Sequence, residues 1–151
     1  MTETSEILIE DIAAEWKADA IIDETQINVE ICRTPSLHSK YINHYVYYKN
    51  KLSKEDYNYR RLGNLKRKYY KGECTQEDLV KYGWKQFMGL KPSFQELNAY
   101  LEYDTDLVKI NEKITRYKNA ISTIEYIMKS ITGRDYALKA LQDYLRYING
   151  A

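Results

Sequence analysis

The sequence has little of what bends, breaks or cross-links a chain. Two prolines and six glycines in 151 residues leave long stretches without a breaker. No Asn-Gly or Asp-Gly pair joins two alternating runs as a hairpin would. The two cysteines, Cys32 and Cys74, fit no CxxC pattern and read as reduced thiols rather than a disulfide. The only histidines, His38 and His44, are six residues apart, which on a helix turns them to different sides and argues against a metal site. No apolar run approaches the roughly 20 residues of a membrane span. The acidic N-terminus lacks the basic and apolar regions of a signal peptide, so a cytosolic chain off the membrane is expected. Neither the GxxxxGKS/T pattern nor GxGxxG is present. No cysteine, histidine and acid assemble into a nucleophile triad. Asp104 and Asp106, two apart, would point away from each other on a helix, and a capping role suits Asp104 better than acid–base work. These absences predict no enzyme, no cofactor, no metal and no catalytic residue.

What is there is polarised charge. The net charge of +1 hides nine acids against two bases in residues 1–33, ten bases against two acids in 34–72, and eleven of each in 73–151. The basic middle also holds eight of the sixteen tyrosines. Lysine and arginine neutralise phosphates and release counterions, and tyrosine rings offer faces on which unpaired bases stack. The pairing of these chemistries points to single-stranded nucleic acid. A second reading is that the acidic head simply neutralises the basic middle, within or between subunits. Within the middle, Arg60, Arg61, Lys66, Arg67, Lys68 and Lys71 are interleaved with Tyr57, Tyr59, Tyr69 and Tyr70. On a helix Arg60, Arg67 and Lys71 fall near one face, with Arg61 and Lys68 beside them. Such a ridge can track a phosphate backbone with little sequence preference. The bland reading is a solvated helix end that favours cations through its dipole, with Tyr69 and Tyr70 as packing residues.

Periodicity predicts an all-α chain. A first helix is expected over about 5–20, with Ile9, Ile12, Ala13, Trp16 and Ala20 on one stripe. Asp23 with Gln26 resembles a cap for a short helix through Arg33. Thr34-Pro35 then reads as the start of a long helix to about Tyr70, stopped by Gly72. Tyr41, Tyr45 and Tyr48 look like packing residues on it. About 36 residues of helix would extend about 54 Å, long enough that part should meet another chain or a ligand. Residues 73–92 form a packed connector with Trp84, Phe87, Met88 and Leu90 as a cluster, and Thr75 caps a short helix. Ser93 and Glu96 match a capping box. Then Tyr100, Tyr103, Leu107, Ile110, Ile114, Tyr117, Ile121, Ile124, Met128 and Ile131 alternate spacings of three and four, a heptad seam. The alternative reading starts a fresh helix inside it at Asp104. After Gly133, Leu138, Leu141, Leu145 and Ile148 continue the spacing as a second helix or a kinked continuation. The seam serves either self-association or an intramolecular helical hairpin, and its regularity favours assembly. The organisation expected is one helical domain over 1–151: acidic helices in 1–33, a basic helix in 34–72, a connector in 73–92 and oligomerisation helices in 93–151.

Four pieces of sequence resemble a known family. They are Ser39-Lys40-Tyr41-Ile42-Asn43, the basic run Leu65-Lys66-Arg67-Lys68-Tyr69-Tyr70, the acidic Leu101-Glu102-Tyr103-Asp104-Thr105-Asp106-Leu107, and Lys129-Ser130 through Arg134, Tyr136-Ala137, Lys139 and Gln142-Asp143. Their order and spacing resemble the UvsY-like recombination mediators of T-even-type bacteriophages and cyanophages, over nearly the whole chain. The resemblance implies a helical, ring-like homo-hexamer or homo-heptamer in the cytoplasm of an infected bacterial cell. It implies binding to single-stranded DNA, to a RecA-like recombinase of the UvsX type and to the phage single-strand DNA-binding protein, with no reaction catalysed. The basic, tyrosine-interleaved end of the segment narrows the expected DNA contacts to Arg60, Arg61, Lys66, Arg67, Lys68, Tyr69, Tyr70 and Lys71. Lys66 matches a basic position of the family's DNA-binding stretch, whereas its companion two residues earlier is Asn64 here. Oligomerisation is expected through Ile110, Ile114, Tyr117, Ile121, Ile124, Met128, Ile131, Leu138, Leu141 and Leu145. The alternatives are a coiled-coil scaffold without nucleic acid and a non-specific RNA-binding helical protein.

Overall fold

The computed structural model describes residues 9–150. Its elements are all helices: α1 (Ile9–Asp19), α2 (Ile27–Tyr70), α3 (Gln76–Tyr82), α4 (Phe94–Glu102) and α5 (Thr105–Ile148). Residues 5–8 of the expected first helix lie outside the described residues.

Local chemistry sets most of the ends. Gly72 takes a left-handed φ of 72° after α2. There its N–H reaches the Tyr69 carbonyl at 3.0 Å and the Glu73 N–H reaches Lys68 at 2.9 Å, the paired bonds that close a helix C-terminus. Thr75 with Asp78 and Ser93 with Glu96 both form complete capping boxes. Asp104 accepts the N–H groups of Asp106 and Leu107, each at 3.1 Å, and starts α5. The expected seam is therefore interrupted at its beginning: α4 ends before Tyr103, whose side chain is exposed.

Two sequence-based boundaries are corrected, and at Gly133 the continuation is the alternative that holds. The short helix through Arg33 and the long one from Pro35 are a single helix, α2. Its buried residues Ile27, Glu30, Thr34, Leu37, Tyr41 and Tyr48 step by three, four and seven straight across Pro35. Packing of that stripe outweighs the loss of one intrahelical hydrogen bond, and Pro35 lies on the exposed side. Asp23 does not cap with Gln26; its carboxylate turns onto Thr25, accepting the backbone N–H at 2.9 Å and the hydroxyl at 2.6 Å. Gly133 ends nothing, for α5 runs through it.

The described residues group into two compact units. The first joins the chain through Asn50 with the chain from Lys118. Ile12, Tyr41, Ile124, Ile131 and Leu138 are its fully buried side chains. The packing role expected of Tyr41 and Tyr48 holds, and α1 docks by setting Trp16 edge-on to Tyr41, with centroids 5.6 Å apart. The acidic head does neutralise bases, but those of the first half of α2. Asp19 meets Lys40 at 2.7 Å and Arg33 at 3.0 Å, and Glu15 meets Lys40 at 3.2 Å and His44 at 3.3 Å. Burial works against the Asp19 charge, yet the Lys40 ammonium and the Tyr41 hydroxyl outweigh it and hold the carboxyl below its usual range.

A second polar contact is deeper. Glu30 pairs with Arg134, and both are buried. Glu30 also accepts the Asp23 N–H at 3.3 Å, while Nε and Nη1 of Arg134 find no partner among the described residues. Removing one side of such a pair strands a buried charge. Glu30→Ala should therefore lower unfolding stability by about 3–5 kcal/mol in urea titrations. The combined Glu30→Leu and Arg134→Met chain should recover most of that loss; equal instability of the two would contradict this account.

Candidate nucleic-acid interface

The second unit, Lys51–Tyr117, holds all eight residues expected to contact DNA. They lie on the last turns of α2, and helix geometry divides them. At about 100° per residue, Arg60, Arg61, Arg67, Lys68 and Lys71 fall within about 120° of arc. All five are exposed, and none makes an ion pair among the described residues. Asn64 and Tyr57 sit inside the same arc, and Tyr57 is 65% exposed. Asp56, half-buried, borders it.

Lys66 faces the other way. It is 5% exposed, and its Nζ lies 3.0 Å from Asp104 and 2.9 Å from Asp106. The Trp84 ring centroid is 4.4 Å from the same ammonium, close enough for a cation–π contact. Tyr70 donates its hydroxyl to Asp104 at 2.7 Å, and Tyr69 donates to the Lys85 carbonyl at 2.7 Å. Both rings are packed: Tyr70 stacks on Tyr100 at 5.2 Å and meets Phe87 edge-on, and Tyr69 lies against Trp84 at 5.3 Å. Gly89 makes room for this arrangement, since a Cβ there would stand 2.5 Å from the Phe87 ring.

The ridge of exposed cations thus excludes Lys66, and neither Tyr69 nor Tyr70 is free to act as a stacking platform. The reason is the continuous helix. Residues 66, 69 and 70 share its inward side, where they meet the connector and the start of α5. The exposed tyrosine on the ridge is Tyr57, and sequence spacing could have found it: it is three and four residues before Arg60 and Arg61, and seven before Asn64. Among the described residues, no group of three or more histidines, cysteines, aspartates or glutamates could hold a metal ion. No helix among them is long and apolar enough to cross a membrane.

The seam residues also have their places. Ile114, Ile121, Ile124, Ile131 and Leu138 are buried in the single chain, and Ile110, Tyr117, Met128, Leu141 and Leu145 are half-buried. Within the chain the seam supplies core, because a chain this polar has few other side chains from which to build one. A second stripe on α5 stays outside. Tyr126, Ser130, Gly133, Ala137, Ala140, Tyr144 and Tyr147 also alternate spacings of four and three, and all are exposed. Sequence reasoning missed it because its small residues register weakly as apolar.

Residues 15–151 match the family described as "Recombination, repair and ssDNA binding protein UvsY". The class is thereby set: DNA-binding proteins of recombination and repair, not enzymes. The chain belongs to the UvsY family. Crystal structures of the bacteriophage T4 recombination mediator protein UvsY share its fold. One superposes with a TM-score of 0.82 at 21% identity, covering 92% of this chain and 98% of that one. Another gives 0.83 at 20% identity, covering 97% and 100%. No curated protein sequence matches the chain.

The inward cluster has a pH signature. Burial opposes the Asp104 charge, but the Tyr70 hydroxyl, the Leu107 N–H and the Lys66 ammonium outweigh it and lower the pKa. Burial likewise opposes the Lys66 charge, and Asp106 and Asp104 outweigh it and raise the pKa. The depressed carboxyl stabilises fully above its ordinary 3.8 and loses this as pH falls through its folded value. The raised ammonium stabilises fully below 10.5 and loses this as pH rises through its folded value. Asp104→Ala should cost about 3–5 kcal/mol at neutral pH. Melting curves of wild type and variant should converge as the pH falls below 3.8. A constant gap across that range would contradict the assignment.

Proposed function

We propose that this chain is a recombination mediator. It binds single-stranded DNA along the outward face of α2 and helps load a RecA-like phage recombinase onto DNA coated with single-strand binding protein. The observation that carries this reading is the arc of five exposed, unpaired cations around Tyr57. Each cation set against a phosphate releases a counterion, and the Tyr57 ring can stack on an unpaired base. Nothing in the arc matches a base-reading arrangement, so binding is independent of sequence. Asn64 supplies no charge, and Arg67 and Lys68 flank it on the same arc.

The weak grip of one arc is multiplied by assembly. A homo-oligomer, ring-like with six or seven copies in the reading the family suggests, brings several arcs to one strand and raises affinity without new contacts. The surface best suited to that assembly is the outer stripe of α5. Small residues let helices approach closely, and tyrosines at both ends add buried area. The strand held on such an assembly is bent away from the binding protein and presented to the recombinase.

Alanine at Arg60, Arg67 and Lys71 together should weaken single-stranded DNA binding and lower the slope of log affinity against log salt by about 0.7 per lost contact. Lys66→Ala should instead lower the melting temperature and leave the salt slope of the folded protein unchanged. An unaltered slope in the triple variant would refute the arc.

Assembly has its own test. Ala137→Glu with Ala140→Glu changes only exposed positions. It should give a smaller species by sedimentation with helical content intact. A variant that keeps the wild-type mass would remove the outer stripe from the interface.

A further inference from the structure

The connector carries a surface that DNA binding leaves unused. Val80 is 79% exposed, Met88 89%, Leu90 94% and Phe94 73%. Between Val80 and Gln95 the sequence has three lysines, Lys81, Lys85 and Lys91, all exposed, and no acid. Exposed large apolar side chains gathered in so short a segment mark a docking surface more often than an accident of folding.

The segment is also held in place. Gly83 closes α3 in the left-handed region, with the Trp84 N–H on the Leu79 carbonyl at 2.9 Å. The Tyr69 hydroxyl pins the Lys85 carbonyl, the Phe87 ring folds over Gly89, and the capping box at Ser93 fixes the far end. Met88 and Leu90 therefore project from an ordered backbone, and little conformational entropy is lost when a partner covers them.

We infer that this surface docks an acidic, apolar-bearing segment of a partner protein. Glu77 and Asp78 stand beside Lys81 at the α3 end, so Lys85 and Lys91 are the lysines that select negative charge, and Val80, Met88, Leu90 and Phe94 select apolar side chains. DNA fits less well. Val80, Met88 and Leu90, the three most exposed, have no flat face for a base, which leaves the Phe94 ring as one platform among four apolar groups, and methionine is the adaptable residue of protein-docking surfaces. The aromatic rings nearby, Tyr69, Trp84 and Phe87, are occupied with one another. The inference rests on the mediator reading, which requires contact with proteins as well as with a strand.

The test uses the full-length chain with the purified recombinase and single-strand binding protein encoded alongside it. Binding of each is compared for wild type, Met88→Ser with Leu90→Ser, and Lys85→Glu with Lys91→Glu. At least one of the two proteins should bind wild type, each double variant should weaken that binding about tenfold or more, and polyglutamate should compete. Affinity for single-stranded DNA and the sedimenting mass should stay as in wild type. The inference is overturned if neither protein binds, or if the variants bind as wild type does. Loss of DNA affinity in the variants assigns the surface to the strand, and loss of mass assigns it to a second copy; either also overturns it. The mediator reading is judged separately, by whether wild type speeds recombinase assembly on coated DNA. A wild type that does so, with variants that still bind, sinks only the docking surface.

Discussion

The ion pair between Lys66 and Asp104 fixes the rotation of α2 in the second unit. A buried ammonium held 3.0 Å from Asp104 and 2.9 Å from the more open Asp106 cannot be turned outward without stranding the buried Asp104 carboxylate. Asp104 does two further jobs, accepting the Tyr70 hydroxyl and capping α5. With Lys66 turned inward, the rigid geometry of the helix turns Arg60, Arg67 and Lys71 outward, with Arg61 and Lys68 beside them. The exposed cations and the buried cluster are two sides of one constraint.

α5 shows the same division between inside and outside. Its apolar seam supplies the cores, and its outer stripe of tyrosines and small residues stays exposed. A helix carrying two heptad-spaced stripes can build a subunit with one and join subunits with the other. Charge follows the division too. The acids of α1 neutralise Arg33 and Lys40, and Glu15 also lies 3.3 Å from the His44 ring, so the acidic head satisfies groups that pack within the first unit. The cations at the end of α2 are not among them and stay available to a polyanion. The near-zero total is thus compatible with a strongly basic local surface.

Much of this was legible in the sequence where the signal is local. The caps at Thr75, Ser93 and Asp104 and the stop at Gly72 all depend on neighbours within five residues, a range that sequence alone makes legible. Pro35 misled because its local meaning, a helix start, was overridden by the buried stripe from Ile27 to Tyr48. The basic segment was found as a segment, yet its facing was not followed through. Helical spacing already separated Lys66 from Arg60, Arg67 and Lys71, and family resemblance brought it back. Counting charges cannot tell a cation that meets solvent from one that meets two carboxylates forty residues away. The heptad seam is likewise legible, but its spacing alone does not say whether the facing helix belongs to the same chain.

The central claim is that DNA lies on the outward arc and never meets Lys66. Lysine-specific chemical labelling read by mass spectrometry, with and without single-stranded DNA, tests it most directly. Lys68 and Lys71 should label readily in the free protein and be protected by DNA, while Lys66 should resist labelling in both states. Ready labelling of Lys66 in the free protein, with protection on adding DNA, would contradict the account.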